Sequence, residues 1–371
     1  MTKRRIGIDT RMLHNTGIGT YLKGLLTHLG SRRLPTDWEI VLFGKARLKT
    51  ENERFRFKPF HSKIYSVSEQ LEYPFRMKEC DLWHAPHYNV PFVKGKTRLV
   101  VTVHDLIHWI FRKDFLNPVQ AFYAGKMFRR AVEIADRIIT VSEKTRSDLM
   151  RYFDADPEKI SVIYEGVSPE FRRLEERGPV EAIRKKYHLP PAFFLYVGML
   201  KPHKNVLWLL HLFRHLRKEA KVDASLVLIG KKDKKYPKGY EDLSELKTGP
   251  EVIHIPYVEE EELVAFYNGA LALIHPSLYE GFGLTILEAM ACGTAVIACR
   301  SASVPEIAGD GACLIDSCAD SQLRDAIVKL EKISGLREEL SRKGRQQASR
   351  FRWDQTADQT LEVYDKALSG S

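Results

Sequence analysis

The sequence has no apolar run approaching the roughly 20 residues that cross a bilayer. Its basic start, MTKRRIGIDT, leads into a short strand pattern and not into the apolar core of a signal peptide, so a cytoplasmic location is expected. Cysteine is scarce, five in 371 residues, and no pair has the C-x2-C spacing of a zinc site. Cys292, Cys299, Cys313 and Cys318 fall close together, the first three in or beside apolar runs, and read as buried reduced thiols. The signatures of an RRM, KH or helix-turn-helix module are missing. No aromatics are spaced regularly through the basic segments, so nucleic acid is not an expected partner.

What is present suits a globular α/β protein: 44% hydrophobic, 29% charged and 10% aromatic residues. The length suits two domains of roughly 150–200 residues. The net charge of +10 is uneven. Residues 1–170 hold 29 Lys and Arg against 20 Asp and Glu, so +9 of the excess lies in the N-terminal half. Such a half suggests an anionic partner, a membrane face or a phosphate-bearing acceptor among them.

Short apolar runs alternate with helical patterns twice along the chain. Strands are expected at 5–9, 39–43, 81–85, 99–103, 138–141 and 162–164, with helices at about 19–29, 119–135 and 142–153. A polar, proline-bounded stretch, 168–191, separates this from a second series. There the strands are 193–197, 226–229, 252–255, 271–275, 295–298 and 313–315, and the helices about 205–219, 259–269, 285–291 and 321–333. This predicts two Rossmann-like domains with parallel sheets, 1–172 and 173–353, with a last helix, 354–371, packing back on the first. Ligands in such sheets sit beyond the carboxyl ends of the strands, so two facing sheets would enclose a deep interdomain cleft. The run KKDKKYPKG (231–239) reads as an exposed loop.

The segment HPSLYEGFGLTILEAMACGTAVIA (275–298) carries the strongest signal. A strand ends at His275, a loop holds Gly281 and Gly283, and a helix opens near Thr285. Glycines let backbone N–H groups approach an anion, and a helix start adds about half a positive charge. Glu280 and Glu288 flank this cradle, and carboxylates accept hydrogen bonds from sugar diols. Together they fit a sugar joined through a diphosphate to a nucleoside. A bland reading, helix-propagating glutamates after a surface loop, suits an isolated Glu but not the whole segment.

This segment resembles the family 4 glycosyltransferases of the GT-B fold, whose E-x7-E signature is matched by Glu280 and Glu288. The likeness extends over nearly the whole chain. It implies that Glu280 meets the donor hexose, Glu288 the ribose, and Gly281, Phe282, Gly283, Leu284 and Thr285 the diphosphate. A second matching element is YVGMLKPHKNV (196–206), where Gly198 ends a strand and Lys204 opens a helix as the donor-phosphate lysine. The usual arginine is absent; Met199 and His203 stand in its places, and Lys201 or His203 would substitute. In IGIDTRMLHNTGIGTYLKGLL (6–26), the resemblance implies that Gly17 and Gly19 admit the reacting sugar, although a plain tight turn explains the pair equally well. In VVTVHDLIHW (100–109), His104 would hydrogen-bond the sugar, and Asp105 would orient it or meet the acceptor; a structural His-Asp at a strand end is the alternative. DLWHAPHYNVP (81–91), ITVSEKTRSDL (139–149), VIYEGVSPEF (162–171) and the final FRWDQTADQTLEVY (351–364) also resemble the family, with Glu165 where Asn is usual. Tyr257 and Val258, after the strand 252–255, would flank the base.

The resemblance implies a retaining hexosyltransferase without a side-chain nucleophile and without a cofactor or metal, because Lys204 and the helix start near Thr285 would stabilise the leaving diphosphate. GDP-mannose is the favoured donor, with UDP-glucose and dTDP-rhamnose as alternatives. The expected acceptor is a glycan or lipid-linked oligosaccharide of surface polysaccharide synthesis. The basic N-terminal half, with Lys126, Arg129 and Arg130 on one helix, would touch an anionic membrane surface as a peripheral protein; a solvated basic face explains it equally. A sugar-nucleotide 2-epimerase of the same fold is the nearest rival. An oxidoreductase has only the incomplete G-x-G in its favour, and a nucleic-acid binder only the net charge.

Overall fold

The computed structural model describes residues 3–32, 34–44, 55–232 and 251–370. They form two compact units, Met1–Gly166 with Arg352–Ser371, and Val167–Phe351. The junction stands six residues before the expected boundary at 172. Residues 167–172 stay with the second unit: the Phe171 ring meets Tyr267 edge-on at 5.9 Å and Asn268 Nδ2 donates to the Arg172 carbonyl at 3.0 Å.

The first unit is built on a parallel sheet of β1 (Arg4–Asp9), β2 (Trp38–Gly44), β3 (Phe55–Pro59), β4 (Leu82–Ala85), β5 (Arg98–Val103), β6 (Arg137–Thr140) and β7 (Ile160–Val162), in the order β3-β2-β1-β4-β5-β6-β7. Its central strands β1 and β5 are buried at consecutive residues, Ile6–Asp9 and Leu99–Val103, as expected of parallel strands covered on both faces. Helix starts follow local chemistry. Ser142 Oγ accepts from Thr145 N at 3.1 Å to open Glu143–Phe153, and Asn117 with Gln120 forms a capping box ahead of Pro118–Ile134. The element after Asp156 is a single 3-10 turn, Pro157–Lys159. The helix Val67–Met77 escaped the sequence reading because Pro74 interrupts its pattern, yet Ser66 caps it on Glu69 N.

The second unit has β8 (Phe193–Val197), β9 (Ser225–Ile229), β10 (Val252–Ile255), β11 (Ala272–His275), β12 (Ala295–Cys299) and β13 (Cys313–Ile315), all parallel, in the order β10-β9-β8-β11-β12-β13. Counted within the unit this is 3-2-1-4-5-6, the Rossmann order. The stretch 168–191 is more than a linker, since the helix Gly178–Tyr187 lies inside it, with Pro179 in its first turn and Val180 and Ile183 buried. Helix Ser334–Ala348 was also not anticipated. Of the loop 231–239, Lys231 and Lys232 are exposed and the rest lies outside the described residues. Cys80, Cys292 and Cys299 are buried free thiols; Cys313 is only half-buried and Cys318 is exposed, contrary to the expectation for this cluster. Cys318 sits in a turn at φ 60° that turns its side chain to solvent.

The last helix, Trp353–Ser369, belongs to the first unit. A Cβ on Gly24 would stand 2.3 Å from the Trp353 ring, so only glycine admits that indole against Ile18–Ser31. Deeper in, Tyr364 Oη meets His84 Nδ1 at 2.7 Å and Thr102 Oγ1 meets His84 Nε2 at 2.8 Å. Burial brings the His84 imidazole down to about 3, so it is neutral there. Among the described residues no helix is long and apolar enough to cross a membrane.

In each sheet the strand order reverses beside its first strand. Loops leaving the two central strands diverge there and open a crevice at the carboxyl edge. Gly198 and Lys204 follow β8 and Glu280 follows β11 at this place in the second unit, while Tyr257 and Val258 follow β10; in the first unit Gly17 and Gly19 follow β1, and His104 and Asp105 follow β5.

Candidate functional site

In the second unit the crevice lies between the loops after β8 and β11. Past His275 the chain runs to Gly283, whose φ of 116° only glycine adopts readily, and the helix Leu284–Ala291 opens. No side chain caps this start and its first turn has no acidic residue, so the positive end of the helix faces the crevice uncompensated. Gly281 and Phe282 are buried in the approach, while Leu284 and Thr285 are half-buried. Ser303 Oγ lies 2.9 Å from the Glu280 carbonyl oxygen and 2.8 Å from that of Phe282, fixing the loop from beneath. Leu278 N donates to the His203 carbonyl at 2.7 Å and ties this loop to the one after β8.

Glu280 is 8% exposed and carries the strongest electrostatics of the unit. Lys204 Nζ donates to its Oε1 at 2.5 Å, and His275 Nε2 stands 3.2 Å from the same oxygen. Burial alone would raise the Glu280 carboxyl, but Lys204, His275 and His203 overcome it and hold it well below its ordinary value. The carboxylate is therefore charged, and both Lys204 Nζ and His275 Nε2 meet it at Oε1. The Thr285 hydroxyl meets His275 Nδ1 at 3.3 Å.

Glu288 has the opposite character. Its Oε2 accepts from the buried Tyr267 hydroxyl at 2.8 Å. Burial raises its carboxyl to about 7, against that hydrogen bond and with a small push from Glu260. Two carboxylates eight positions apart thus have separated titrations set by environment.

Lys204 does not open a helix as expected. It closes the 3-10 turn Pro202–Lys204, and Asn205, left-handed at φ 53°, starts Val206–Lys218. That turn aims the lysine across at Glu280. Gly198 has φ 150°, and Gly230 approaches so closely that a Cβ there would be 1.9 Å from the Gly198 carbonyl oxygen. His203 is 3% exposed, while Lys201 is half-buried. Val258 is buried; Tyr257 is 57% exposed, bonds Glu259 through its hydroxyl at 3.0 Å and lies 4.9 Å beneath Lys231 Nζ.

In the first unit, Gly17 adopts φ 72° with open space at its Cβ position. Gly19 has a packing reason, since a Cβ would stand 2.6 Å from the Leu13 carbonyl oxygen. His104 follows β5, and both its ring nitrogens face acceptors: Glu165 Oε1 at 3.0 Å from Nδ1 and the Pro86 carbonyl at 3.2 Å from Nε2. Asp105 does not orient it. Asp105 Oδ1 accepts from Ile107 N, two residues on, at 2.9 Å in an Asx-type turn; the orienting carboxylate is Glu165, 3% exposed.

Beside this lies a charged cluster not read from the sequence. Arg11 bonds Asp9 at 2.5 Å, Glu69 at 2.7 Å and the Tyr73 hydroxyl at 3.0 Å, its guanidinium 3.7 Å above the Phe60 ring. Asn89 Nδ2 donates to Glu69 Oε2 at 2.7 Å and the Tyr123 hydroxyl to Asn89 Oδ1 at 2.8 Å.

Comparison with known proteins agrees with this geometry. Residues 179–347 match the family Glycosyl transferases group 1, and residues 16–171 match Glycosyltransferase Family 4. The chain is 30% identical over 293 residues to O-antigen chain mannosyltransferase B of Escherichia coli, covering 76% of this chain and 74% of the relative. The chain belongs to the group 1, family 4 glycosyltransferases. This glycosyltransferase is also 27% identical to O-antigen chain mannosyltransferase RfbU of Salmonella typhimurium over 75% of this chain and 72% of the relative. It matches the serotype-specific mannosyltransferase WbdA of E. coli at 27%, spanning 35% of that longer protein. Among solved structures, sucrose-phosphate synthase from Thermosynechococcus elongatus superposes with a TM-score of 0.78 at 19% identity, each chain covered fully. WaaG, a glycosyltransferase involved in lipopolysaccharide biosynthesis, gives 0.72 at 14% identity over 96% of this chain and 99% of that one. These likenesses establish the two-domain GT-B fold.

Several residues important to the glycosyltransferase's site were given no role in the sequence: His275, Ser303, Glu165 and the Arg11 cluster. His275 stood in the quoted motif, but a strand-end histidine has no spacing signal. Ser303, Glu165 and Glu69 lie far in sequence from what they hold. Among the described residues no group of three or more His, Cys, Asp or Glu side chains is arranged to hold a metal ion.

Proposed function

We propose that this glycosyltransferase transfers mannose from GDP-mannose, with retention, to a glycan growing on a lipid-diphosphate carrier in surface polysaccharide synthesis. The observation carrying the reading is the Lys204–Glu280 pair at the uncapped, glycine-started helix, with Glu288 on the next turns. In this reading Glu280 Oε2 receives a hexose hydroxyl and Glu288 the ribose. Lys204 and the backbone of Gly281, Phe282, Gly283, Leu284 and Thr285 receive the diphosphate, and Gly198 leaves room for it. Tyr257 and Val258 flank the base; Gly17, Gly19, His104 and Asp105 serve the sugar and acceptor from the first unit. The mannose reading draws on the relatives named as O-antigen mannosyltransferases.

The diphosphate departs as the acceptor oxygen attacks the same face of the anomeric carbon. The acceptor's proton passes to an oxygen of the leaving phosphate. Lys204 and the helix dipole neutralise the developing charge, the part a metal ion plays in other transferases.

A membrane-facing role is supported by the helix Pro118–Ile134. Val119 and Phe122 stand 77% and 72% exposed, with Lys126 and Arg129 on the same stripe. Beside them opens a groove of about 490 Å³ lined by Trp109, Arg112, Phe122, Lys126, Arg129 and Phe153. Arg130, half-buried, donates to the Phe92 carbonyl at 2.6 Å.

Thermal shift and diphosphate release with GDP-, UDP-, dTDP- and CMP-sugars test the donor. GDP-mannose is expected to stabilise the protein, and GDP to appear only when acceptor is present. Turnover of the donor to an epimer without acceptor would replace this reading with the 2-epimerase.

Glu288 supplies a second test. Its folded value, about 7, exceeds the ordinary 4.5, so the folded protein binds this proton more tightly than the unfolded chain and loses stability as pH rises between them. Glu288→Gln is therefore expected to melt several degrees higher than the parent at pH above 7 while binding donor more weakly. A variant that melts lower and binds donor normally would make Glu288 a structural residue.

A further inference from the structure

The groove on the first unit is built in a way that a membrane-facing surface alone does not need. On Pro118–Ile134, Ala121, Phe122, Gly125, Lys126 and Arg129 fall at i, i+1, i+4, i+5 and i+8, one face of the helix. The two small residues make the hollow. Ala121 is half-buried, and a Cβ on Gly125 would stand 2.6 Å from the Trp109 ring, so only glycine lets that indole lie against the helix. Phe153, 6% exposed, meets Trp109 ring to ring at 5.2 Å and closes the inner wall. The cavity, about 490 Å³, falls within the roughly 300–1,000 Å³ of pockets that hold a small molecule.

Its charges are all of one sign. The Arg112 guanidinium lies 4.4 Å from the centre of the Trp109 ring and donates to the Trp109 carbonyl at 2.8 Å, which fixes it at the wall. Lys126 and Arg129 stand exposed at the mouth. Among the described residues no acid lines the groove, and none pairs with Lys126 or Arg129. Apolar walls alone would take a neutral chain, and cations alone a phosphate. Together they fit a molecule that has both, its chain along Trp109, Ala121 and Phe153 and its phosphate at the cations. We infer that this groove binds a single lipid phosphate, one apolar chain ending in a phosphate or diphosphate, and that this lipid is the carrier of the acceptor glycan. The second part rests on the proposed transfer. Trp109 belongs to Ile107–Ile110, the helix that leaves β5 just after His104 and Asp105, which sets the groove against the edge that the proposed transfer assigns to the acceptor.

Binding is tested without turnover, so its outcome does not depend on the transfer. Monomeric farnesyl diphosphate is the probe, with inorganic pyrophosphate as charge without a chain and phosphatidylglycerol vesicles as bulk anionic lipid. The probe is expected to change tryptophan fluorescence in the parent but not in Trp109→Phe. It is expected to bind roughly 100-fold more tightly than pyrophosphate, the difference that a few buried methylenes make. Lys126→Glu with Arg129→Glu is expected to weaken it by about tenfold or more. Both residues are exposed, so this double variant is expected to melt like the parent. Ala121→Phe, which fills the groove, is expected to abolish binding. Pyrophosphate bound as tightly as the probe, or probe binding untouched by the charge reversal, overturns the inference. Binding to vesicles with none to the monomeric probe also overturns it, because the face is then a general membrane surface. In turnover, the parent is expected to prefer a glycan carried on farnesyl diphosphate to the same glycan as a methyl glycoside, and the charge-reversed variant to lose that preference. A preference kept in the variant overturns the carrier assignment. Transfer to neither acceptor, with the probe still bound, overturns the proposed function and leaves the lipid-phosphate site standing.

Discussion

Lys204→Met is expected to lose transfer by about 10²–10⁴-fold, the scale for removing a preorganised charge from a developing anion. It is also expected to lose roughly 3 kcal/mol of stability, because it leaves Glu280 charged and buried beside histidines alone. Glu280 is held below its ordinary value in the parent, so its contribution is present above about 4.5 and lost as pH falls through the depressed value. The melting difference between parent and variant is thus largest near neutrality and shrinks on acidification. Lys204→Met with Glu280→Gln is expected to regain most of the stability and none of the activity. Were the single variant as stable as the parent, or the double variant active, the pair would not be what organises this site.

Arg11→Met is the second large effect. Arg11 is 2% exposed at its side chain and stands between Asp9 and Glu69, themselves 8% and 0% exposed. Removing the guanidinium leaves two carboxylates with no cation between them, a loss on the order of 3–5 kcal/mol. At roughly 2–4 °C per kcal/mol, the first unit should melt about 10 °C lower. Its defect should lessen as pH falls, since burial raises the Glu69 carboxyl, and protonation relieves the pair. Arg11→Lys should recover only part, because an ammonium lacks the fork that reaches Asp9, Glu69 and Tyr73 together. Calorimetry over a pH series checks this; an Arg11→Met melt within a degree or two of the parent refutes the cluster's structural importance.

The arrangement of strands was legible because parallel strands buried on both faces leave short continuous apolar runs, as in 193–197 and 252–255, whose bounds match β8 and β10. Helices with a visible cap, such as that after Ser142, were legible too. The helix Val67–Met77 was not, because Pro74 breaks its pattern and its packing outweighs that cost. The helix Gly178–Tyr187 was not, because only Val180 and Ile183 mark its buried side.

For the site, the sequence by itself determined the parts that act through local geometry. A glycine at positive φ before a helix, with acids at fixed spacing around it, is written in consecutive residues, and its chemistry follows from backbone and dipole alone. What only the tertiary structure decided were the pairings between distant residues: Lys204 with Glu280, Arg11 with Glu69, and Glu165 with His104, separated by 76, 58 and 61 positions. The reason is physical. A buried charge is tolerable only with a partner, and which partner it meets depends on which loops the sheet order brings to one edge, a property of no segment taken singly.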